Sequence, residues 1–359
     1  MTVLISDGRE KLENSIRHIL DTFLTEADYI RGVFIKPNIV FPVKAAGGEI
    51  TPPALVRALV FTLREHYRDV KITLGEGVAA GCDPQENFRS SGYAELARDL
   101  HIPLIDLHEA ERRTMQWKFG KLALPRIAFD CTYINLPVLK ASSACVISGA
   151  LKNQKGLVLP ETKKHFHRLG LHSQVAELNH LIQPTLTIMD CSRFFGRNSL
   201  ISGDNCGEID AEACGLLGID EPEHLMLARS AQVFTSGYTV LGDNIDARRI
   251  SSRPAVKEFK RLGRLRLWSN PQACTMCRYL FRDIQANWYV RPNFFAALKL
   301  FLYSIKGAEV IMGLNPNWRK EYDKVICIGA CTRNVAKDGG YIHIPGCPPD
   351  SSDLYKNLP

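Results

Sequence analysis

Apolar runs of the kind found in buried strands alternate with helical patterns along the first half of the chain. The strand-like runs occupy 32–35, 71–74, 102–107, 132–136 and 185–190. In one helical pattern, Thr51 is the expected N-cap and Pro52 the first helical residue, and Leu55, Leu59 and Leu63 share a face. A further helix is expected near 87–100. Strands separated by helices predict an α/β fold with a mostly parallel sheet and helices on both faces.

Three regions are expected along the 359 residues. They are an α/β domain over 1–245, a basic linker over 246–268 and a small C-terminal cysteine-rich, metal-binding unit over 269–359. Within the last region, 324–328 and 341–344 have the pattern of strands. Ligands of an open parallel sheet bind at the loops that follow its strands, so function is expected there.

Positive charge is concentrated in one stretch. The chain has 45 basic and 38 acidic residues, a net charge of +7. Residues 247–267 carry the basic residues Arg248, Arg249, Arg253, Lys257, Lys260, Arg261, Arg264 and Arg266 against the single acid Glu258, which is also +7. The rest of the chain is balanced, so nucleic acid is not an expected partner. A solvated linker or helix face is the favoured interpretation, and a surface for an anionic partner is the alternative.

The sequence favours a cytoplasmic protein. Its start lacks a basic segment followed by an apolar run and a cleavage site. The longest apolar stretch, 294–305, contains Lys299 and is shorter than the roughly 20 residues that span a membrane. The cysteine count of eleven is odd, so complete disulfide pairing within the chain is impossible. We expect thiols that are reduced or bound to metal.

The C-terminal region holds a set of cysteines that suits a metal centre. Cys274 and Cys277 form a C-x2-C pair, which directs two thiolates toward one ion. Cys331 follows a glycine in a loop and Cys347 precedes two prolines, and these two are the expected further ligands. Cys327 falls within a strand pattern, where buried apolar neighbours are expected, and is the surplus cysteine. A [4Fe-4S] cluster is favoured, with zinc and the absence of any metal as alternatives, because zinc sites usually contain two close pairs.

A second candidate site is a basic, histidine-bearing loop over 140–172, directly after a predicted strand. Its expected catalytic residues are Lys140, Lys152, Lys164, His165 and His167. Its expected substrate-binding residues are Lys36, Asn38, Asn153 and Lys155. Ammonium and imidazole groups suit a small anionic substrate, and crowded lysines are suited to proton transfer or imine chemistry. A solvated loop without a catalytic role is the alternative.

Several of these segments together resemble one protein family. Segments 35–38, 74–77, 134–140, 149–156 and 164–167 occur in the order typical of the domain of unknown function 362. The resemblance implies an iron–sulfur protein, since members of this family often are. The segments around Cys331 and Cys347 resemble the cysteine-bearing tail of one branch, which supports four cysteine ligands.

The chain departs from the family pattern at two places. Ala141 and Ser142 stand where the family commonly has threonine and histidine after Lys140. In the acidic segment 203–210, only Asp204 and Asp210 match. A reaction different from that of its relatives is therefore one expectation.

The leading functional hypothesis is a [4Fe-4S] redox enzyme, or an electron-transfer protein with a redox partner, acting on a small anionic substrate. One alternative is a lyase, sulfur-transfer enzyme or isomerase with an open cluster site. Another is a binding protein stabilised by zinc.

Overall fold

The computed structural model describes residues 1–40, 49–78, 82–142, 145–235, 237–244, 257–269, 302–312, 318, 320–329 and 332–345. The chain divides into two compact units. Unit 1 comprises Met1–Leu139 and Ser148–Arg249, and unit 2 comprises Lys140–Ile147 and Ile250–Pro359. The three regions expected from the sequence stay a prediction.

The strands are numbered in chain order. They are β1 (Thr2–Ser6), β2 (Val33–Lys36), β3 (Ile72–Glu76), β4 (Leu104–Asp106), β5 (Arg112–Trp117), β6 (Gly120–Pro125), β7 (Thr132–Asn135), β8 (Lys140–Ser142), β9 (Val146–Ser148), β10 (Leu186–Asp190), β11 (Leu200–Gly203), β12 (Thr239–Gly242), β13 (Lys257–Leu262), β14 (Leu265–Ser269), β15 (Ala308–Met312), β16 (Val325–Ile328) and β17 (Ile342–Ile344).

The helices that the structure describes from end to end are numbered in the same way. They are α1 (Leu12–Phe23), α2 (Glu26–Ile30), α3 (Pro53–His66), α4 (Pro84–Ser90), α5 (Tyr93–Leu100), α6 (Ile127–Asp130), α7 (Ala150–Asn153), α8 (Pro160–Leu169), α9 (Leu171–Leu181), α10 (Ser192–Phe195), α11 (Cys206–Leu217), α12 (Glu223–Ser230) and α13 (Arg333–Gly339). A 3-10 helix over Gln154–Leu157 follows α7 directly. None of the helices in the described part of the chain combines the length and the apolar character needed to cross a membrane.

Unit 1 contains an eight-stranded sheet with the strand order β12-β1-β11-β10-β7-β2-β3-β4. Strand β11 is antiparallel to both of its neighbours, and the other adjacent pairs are parallel. The predicted α/β fold with a mostly parallel sheet is thereby confirmed. All residues of β2 and β10 are buried, as expected for parallel strands covered on both faces.

Helix α3 has the predicted buried face, with Leu55, Leu59 and Leu63 in the core of unit 1. Its predicted start is wrong by one residue, because Pro52 is the N-cap and Pro53 the first helical residue. The Thr51 hydroxyl instead donates to the carbonyl oxygen of Leu136 at 2.6 Å and accepts from the backbone N–H of Asn38 at 2.8 Å. Thr51 therefore ties two loops at the ends of parallel strands together, a tertiary role that local sequence cannot show.

Two further predictions need correction. The helix expected near 87–100 is two helices, α4 and α5, because Gly92 between them has the left-handed φ of +81° that favours glycine. The stretch 140–172 is not an open loop. It contains β8, β9, α7, the 3-10 helix and α8, and α8 begins with Pro160, a residue that favours the first helical turn.

Unit 2 contains a five-stranded sheet with the order β13-β14-β15-β16-β17. Strands β13 and β14 are antiparallel and the other neighbours are parallel. The described part of the basic stretch, from 257 onward, forms the paired strands β13 and β14. Cys327 of β16 is fully buried beside Ile311 and Val325, which confirms the apolar surroundings expected for it.

Candidate active site at the carboxyl edge of the eight-stranded sheet

Five adjacent parallel strands of unit 1 each end in a polar residue. In sheet order, β10, β7, β2, β3 and β4 end in Asp190, Asn135, Lys36, Glu76 and Asp106. Because parallel strands have their carboxyl ends at one edge of the sheet, these side chains share that edge, where open α/β sheets bind ligands. This row of polar residues is the candidate active site.

At the centre of the row is a buried ion pair. Lys36 Nζ lies 2.9 Å from Glu76 Oε1, with side-chain exposures of 0% and 2%. The Glu76 carboxylate also accepts the backbone N–H groups of Ile39 and Gly77, at 3.0 and 2.9 Å. Burial lowers the pKa of Lys36, and the neighbouring Glu76 carboxylate opposes that shift. Three donors on one carboxylate compensate its removal from water and fix the chain where β2 and β3 end.

Glycine at position 156 lets the backbone approach this pair. A Cβ there would lie 2.2 Å from Glu76 Oε1 and 2.5 Å from Lys36 Nζ. Gly77 is similar, since its Cβ would lie 2.2 Å from the carbonyl oxygen of Gly156. The 3-10 helix therefore packs directly on the ion pair only because both positions lack a side chain.

A chain of three buried amides extends from the ion pair along the edge. Asn38 donates from Nδ2 to Asn153 Oδ1, and Asn153 donates from Nδ2 to Asn135 Oδ1, both at 2.8 Å. Asn135 Nδ2 in turn lies 3.7 Å from the sulfur of Cys206. The chain links the loop after β2 to α7 and to the end of β7, so these elements hold one geometry.

Asp210 holds the start of α7 in place. Its carboxylate accepts the backbone N–H groups of Ala150 and Leu151 at 2.7 and 3.0 Å, and a Cβ on Gly149 would lie 2.1 Å from Asp210 Oδ1. Burial raises the pKa of Asp210 to about 7, although both hydrogen bonds act in the opposite direction.

A cluster of titratable side chains surrounds Lys163 on α8. Its Nζ donates to the carbonyl oxygens of Gly77 and Val78, each at 2.8 Å, and lies 2.9 Å from His108 Nε2. Asp106 Oδ1 lies 3.5 Å from His108 Nδ1 and also accepts the His108 backbone N–H at 2.9 Å. With its proton on Nδ1, facing Asp106, His108 presents a lone pair on Nε2 to Lys163. The three side chains form a proton path.

Burial favours the neutral form of Lys163, and the charges around it act in both directions. Burial lowers the pKa of Lys163 to about 7; the charges of Lys36 and Lys155 act in the same direction, and those of Glu76 and Asp106 oppose it. Burial also lowers the pKa of His108, with Lys163 as the next cause. An amine whose pKa is near 7 exchanges a proton readily at neutral pH, as a general acid, a general base or a nucleophile requires.

The structure places part of the predicted substrate-binding set in this site. Lys36, Asn38 and Asn153 belong to the buried network, and Lys155 Nζ lies 5.7 Å from the ring centroid of Phe166. Of the predicted catalytic residues, Lys140 is in β8 and Lys152 is a half-buried residue of α7. Lys164, His165 and His167 are on α8, and their side chains lie outside the described part of the structure. Their catalytic roles stay predictions.

Sequence analysis missed Glu76, Asp106, His108 and Lys163. Two signals for them exist in the chain. Glu76 and Asp106 are the last residues of strands. Lys163 and Phe166 are three residues apart and both are buried, so reading 160–169 as a helix would have placed Lys163 on the inner face.

Two histidines of unit 1 lie close together, His172 and His224, with ring centroids 6.1 Å apart. His224 is fully buried with both ring nitrogens lacking a hydrogen-bond partner, and burial lowers its pKa to about 3. Its imidazole is therefore neutral. The predicted cluster ligands Cys274, Cys277, Cys331 and Cys347 lie outside the described residues.

The fold and the site together define an α/β protein with a buried ion pair and an acid–base group at the carboxyl edge of its sheet. The family model described as "Domain of unknown function (DUF362)" matches residues 33–216, just over half of the chain. The chain belongs to the DUF362 family, and the resemblance stated from the sequence is confirmed. The cysteine-bearing tail lies outside the described residues.

No curated protein matches the chain in sequence. A solved structure of the lactate racemase apoprotein from Thermoanaerobacterium thermosaccharolyticum is similar, with 11% sequence identity and a TM-score of 0.39. The similarity covers 60% of this chain and 56% of that protein, so the chain spans little more than half of it.

Proposed function

We propose that the protein is an enzyme that moves a proton to or from a small anionic substrate at the carboxyl edge of the eight-stranded sheet. The observation that carries the proposal is the series of contacts from Asp106 Oδ1 to His108 Nδ1 at 3.5 Å and from His108 Nε2 to Lys163 Nζ at 2.9 Å. In it, Lys163 exchanges the proton, His108 accepts or returns it through Nε2, and Asp106 orients the imidazole. Lys155 contributes positive charge near Lys163, whereas the charge of Lys36 is balanced by Glu76.

The test is proton exchange with solvent. The protein is incubated in deuterium oxide with a panel of small 2-hydroxy, 2-amino and 2-oxo carboxylates. NMR measures deuterium at C2 of the 2-hydroxy and 2-amino acids and at C3 of the 2-oxo acids, whose C2 carries no hydrogen. We expect exchange by the wild-type protein and a loss of about 100-fold or more in Lys163→Met. The exposed Lys121 of β6 provides the control, since Lys121→Met should leave the rate unchanged.

Two results would contradict this assignment. Exchange of every substrate at the rate of the buffer alone would refute proton transfer on this class of compound. Full exchange in Lys163→Met together with a loss in Lys164→Ala would return the role to the lysine predicted from the sequence.

A [4Fe-4S] cluster in the C-terminal region is a separate proposal that rests on sequence. The C-x2-C pair Cys274 and Cys277, with Cys331 and Cys347, would hold it, and when bound it would supply electron transfer to a redox partner. Full burial of Cys327 in the apolar core of unit 2 supports leaving that residue out of the ligand set. Iron and acid-labile sulfide are measured after anaerobic purification. Both should be present and should fall in Cys277→Ser and Cys347→Ser, whereas zinc without sulfide would favour a structural zinc site.

A further inference from the structure

We propose that His172 of α9 and His224 of α12 bind a divalent transition-metal ion, with zinc as the representative of the class. The two side chains belong to unit 1 and lie outside the series Asp106, His108 and Lys163. The inference is therefore independent of the proposed proton transfer.

His224 is a buried imidazole that has no partner for either nitrogen. Its side chain is fully buried, and none of the described residues forms a hydrogen bond to its Nδ1 or its Nε2. A neutral imidazole has one N–H donor and one lone pair, and leaving both unpaired away from water is costly. A metal ion that accepts the lone pair would satisfy half of this requirement.

The two ring nitrogens of His172 have different surroundings. Nε2 lies 3.6 Å from Glu223 Oε2, whereas Nδ1 is buried and receives no hydrogen bond from the described part of the chain. A proton on Nε2, facing the carboxylate, leaves the lone pair on Nδ1. Metal-binding histidines commonly direct their other nitrogen at a carboxylate in this way, because it fixes the tautomer and the ring orientation. His172 therefore offers Nδ1 as a ligand, and Glu223 is its positioning residue.

The distance between the two rings fits one shared ion. The ring centroids are 6.1 Å apart, and one nitrogen of His172 lies within 4.8 Å of one nitrogen of His224. Zinc–nitrogen bonds are about 2.0–2.1 Å long, so two of them span up to about 4.2 Å and a small side-chain rotation closes the remainder. The side chains of His172 and Glu223 are 25% and 64% exposed, so an ion and its remaining water ligands reach the site from solvent.

The nearby charges offset each other, and the type of ligand atom selects the metal. Burial lowers the pKa of His224, and the charge of Lys152 is the next cause, so one cation lies near this ring. The Glu223 carboxylate near His172 has the opposite sign. Imidazole ligands suit zinc, copper and nickel, whereas calcium and magnesium require oxygen ligands.

The experiment counts zinc in the full-length protein by equilibrium dialysis at fixed free zinc, followed by elemental analysis. The cysteines of the C-terminal region are unchanged in every histidine variant, so any zinc that they bind cancels in the comparison. We expect His172→Gln and His224→Leu each to bind one zinc ion per chain fewer than wild type. The exposed His18 of α1 is the control, and His18→Gln should bind as much as wild type. Glu223→Gln should lower the affinity of this site about 10–100-fold.

Thermal unfolding separates loss of a ligand from loss of the fold. In metal-free protein, His224→Leu should unfold at or above the wild-type midpoint, because it removes a buried unpaired imidazole. Zinc at 100 times its dissociation constant should raise the midpoint by about 5 °C more in wild type than in His224→Leu.

Two results would overturn the inference. Equal zinc content in wild type and both histidine variants means that the histidines are not ligands. Loss of zinc in Cys277→Ser, with none in the histidine variants, assigns the bound metal to thiolates alone. If metal-free His224→Leu does not fold, the zinc count of His172→Gln, which changes a partly exposed side chain, decides between the two results.

Discussion

Lys36 and Glu76, the last residues of β2 and β3, form an ion pair with an N–O distance of 2.9 Å and almost complete burial. They are neighbours across the sheet, because β2 and β3 are adjacent parallel strands. The pair is thus a direct consequence of placing a base and an acid at the same edge of one sheet, and the rest of the site is built around it.

Replacement of Glu76 by glutamine should destabilise the protein strongly. Glu76→Gln leaves the Lys36 ammonium buried without its counter-charge, which costs about 3–5 kcal/mol of unfolding free energy. Urea denaturation measures the change. The control is the exposed pair Arg57–Asp99, where Asp99→Asn should cost less than about 1 kcal/mol. Equal effects of the two substitutions would contradict the structural role given to the buried pair.

A methyl group at position 156 should disturb the same pair. Gly156→Ala would place a Cβ 2.5 Å from Lys36 Nζ, so the backbone or the ion pair must shift, at a cost of about 1–3 kcal/mol. Gly215 on α11 is the matched control, because its Cβ would meet nothing within 4 Å. Gly215→Ala should be neutral or stabilising by up to about 1 kcal/mol. If the unfolding midpoints of Gly156→Ala and Gly215→Ala change by the same amount, the close packing of the 3-10 helix on the ion pair is refuted.

Removal of Asn153, the middle residue of the amide chain, should lower the free energy of unfolding. Asn153→Leu removes both bonds of Asn153 and leaves Asn38 Nδ2 and Asn135 Oδ1 without these buried partners, at about 1–3 kcal/mol for each group. The exposed Asn14 of α1 is the comparison, and Asn14→Ala should change stability by less than about 0.5 kcal/mol. A loss in Asn153→Leu no larger than in Asn14→Ala, measured by thermal unfolding, would show that the chain adds nothing to stability.

Asp210 gives the protein a distinctive dependence on pH. Burial raises its pKa to about 7 in the folded state, against about 3.9 in the unfolded chain. Between these values the folded protein holds a proton that the unfolded chain has released, so this residue makes stability fall as pH rises through that window. Asp210→Asn removes the titration. Wild type should therefore lose up to about 4 kcal/mol relative to the variant across the window, measured by urea unfolding at several pH values. A difference between the two proteins that stays constant with pH would disprove the raised pKa.

The sheet was predictable from sequence to the extent that its strands are fully buried. β2, β7 and β10 are short, fully buried strands of mostly apolar, aromatic and β-branched residues that end in a polar residue, and such runs are recognisable without tertiary information. β1 and β11 were not predicted. They pair with each other across about 200 residues of sequence, and this long-range pairing is not visible in any local pattern.

Part of the site was predictable because some of its residues follow a recognisable strand directly. Lys36 and Asn38 follow a clear strand, and the structure brings them into one network with Asn153. The network that surrounds Lys163 depends on the helical phase of α8, and the sequence reading treated that stretch as a loop without faces. His108 is two residues beyond the short strand β4, and it was not singled out because the predicted strand, 102–107, extends one residue past the end of β4.

The proposed proton transfer requires that Lys163 carries a readily exchangeable proton at neutral pH, and direct titration of its side chain tests this requirement. Protein labelled with carbon-13 at the lysine Cε positions is followed by NMR as a function of pH, and Lys163→Met identifies the Lys163 signal. We expect this signal to titrate near pH 7, well below the pKa of about 10.4 of lysine in a model peptide. A Lys163 signal that titrates near the model-peptide value would contradict the proposed proton transfer.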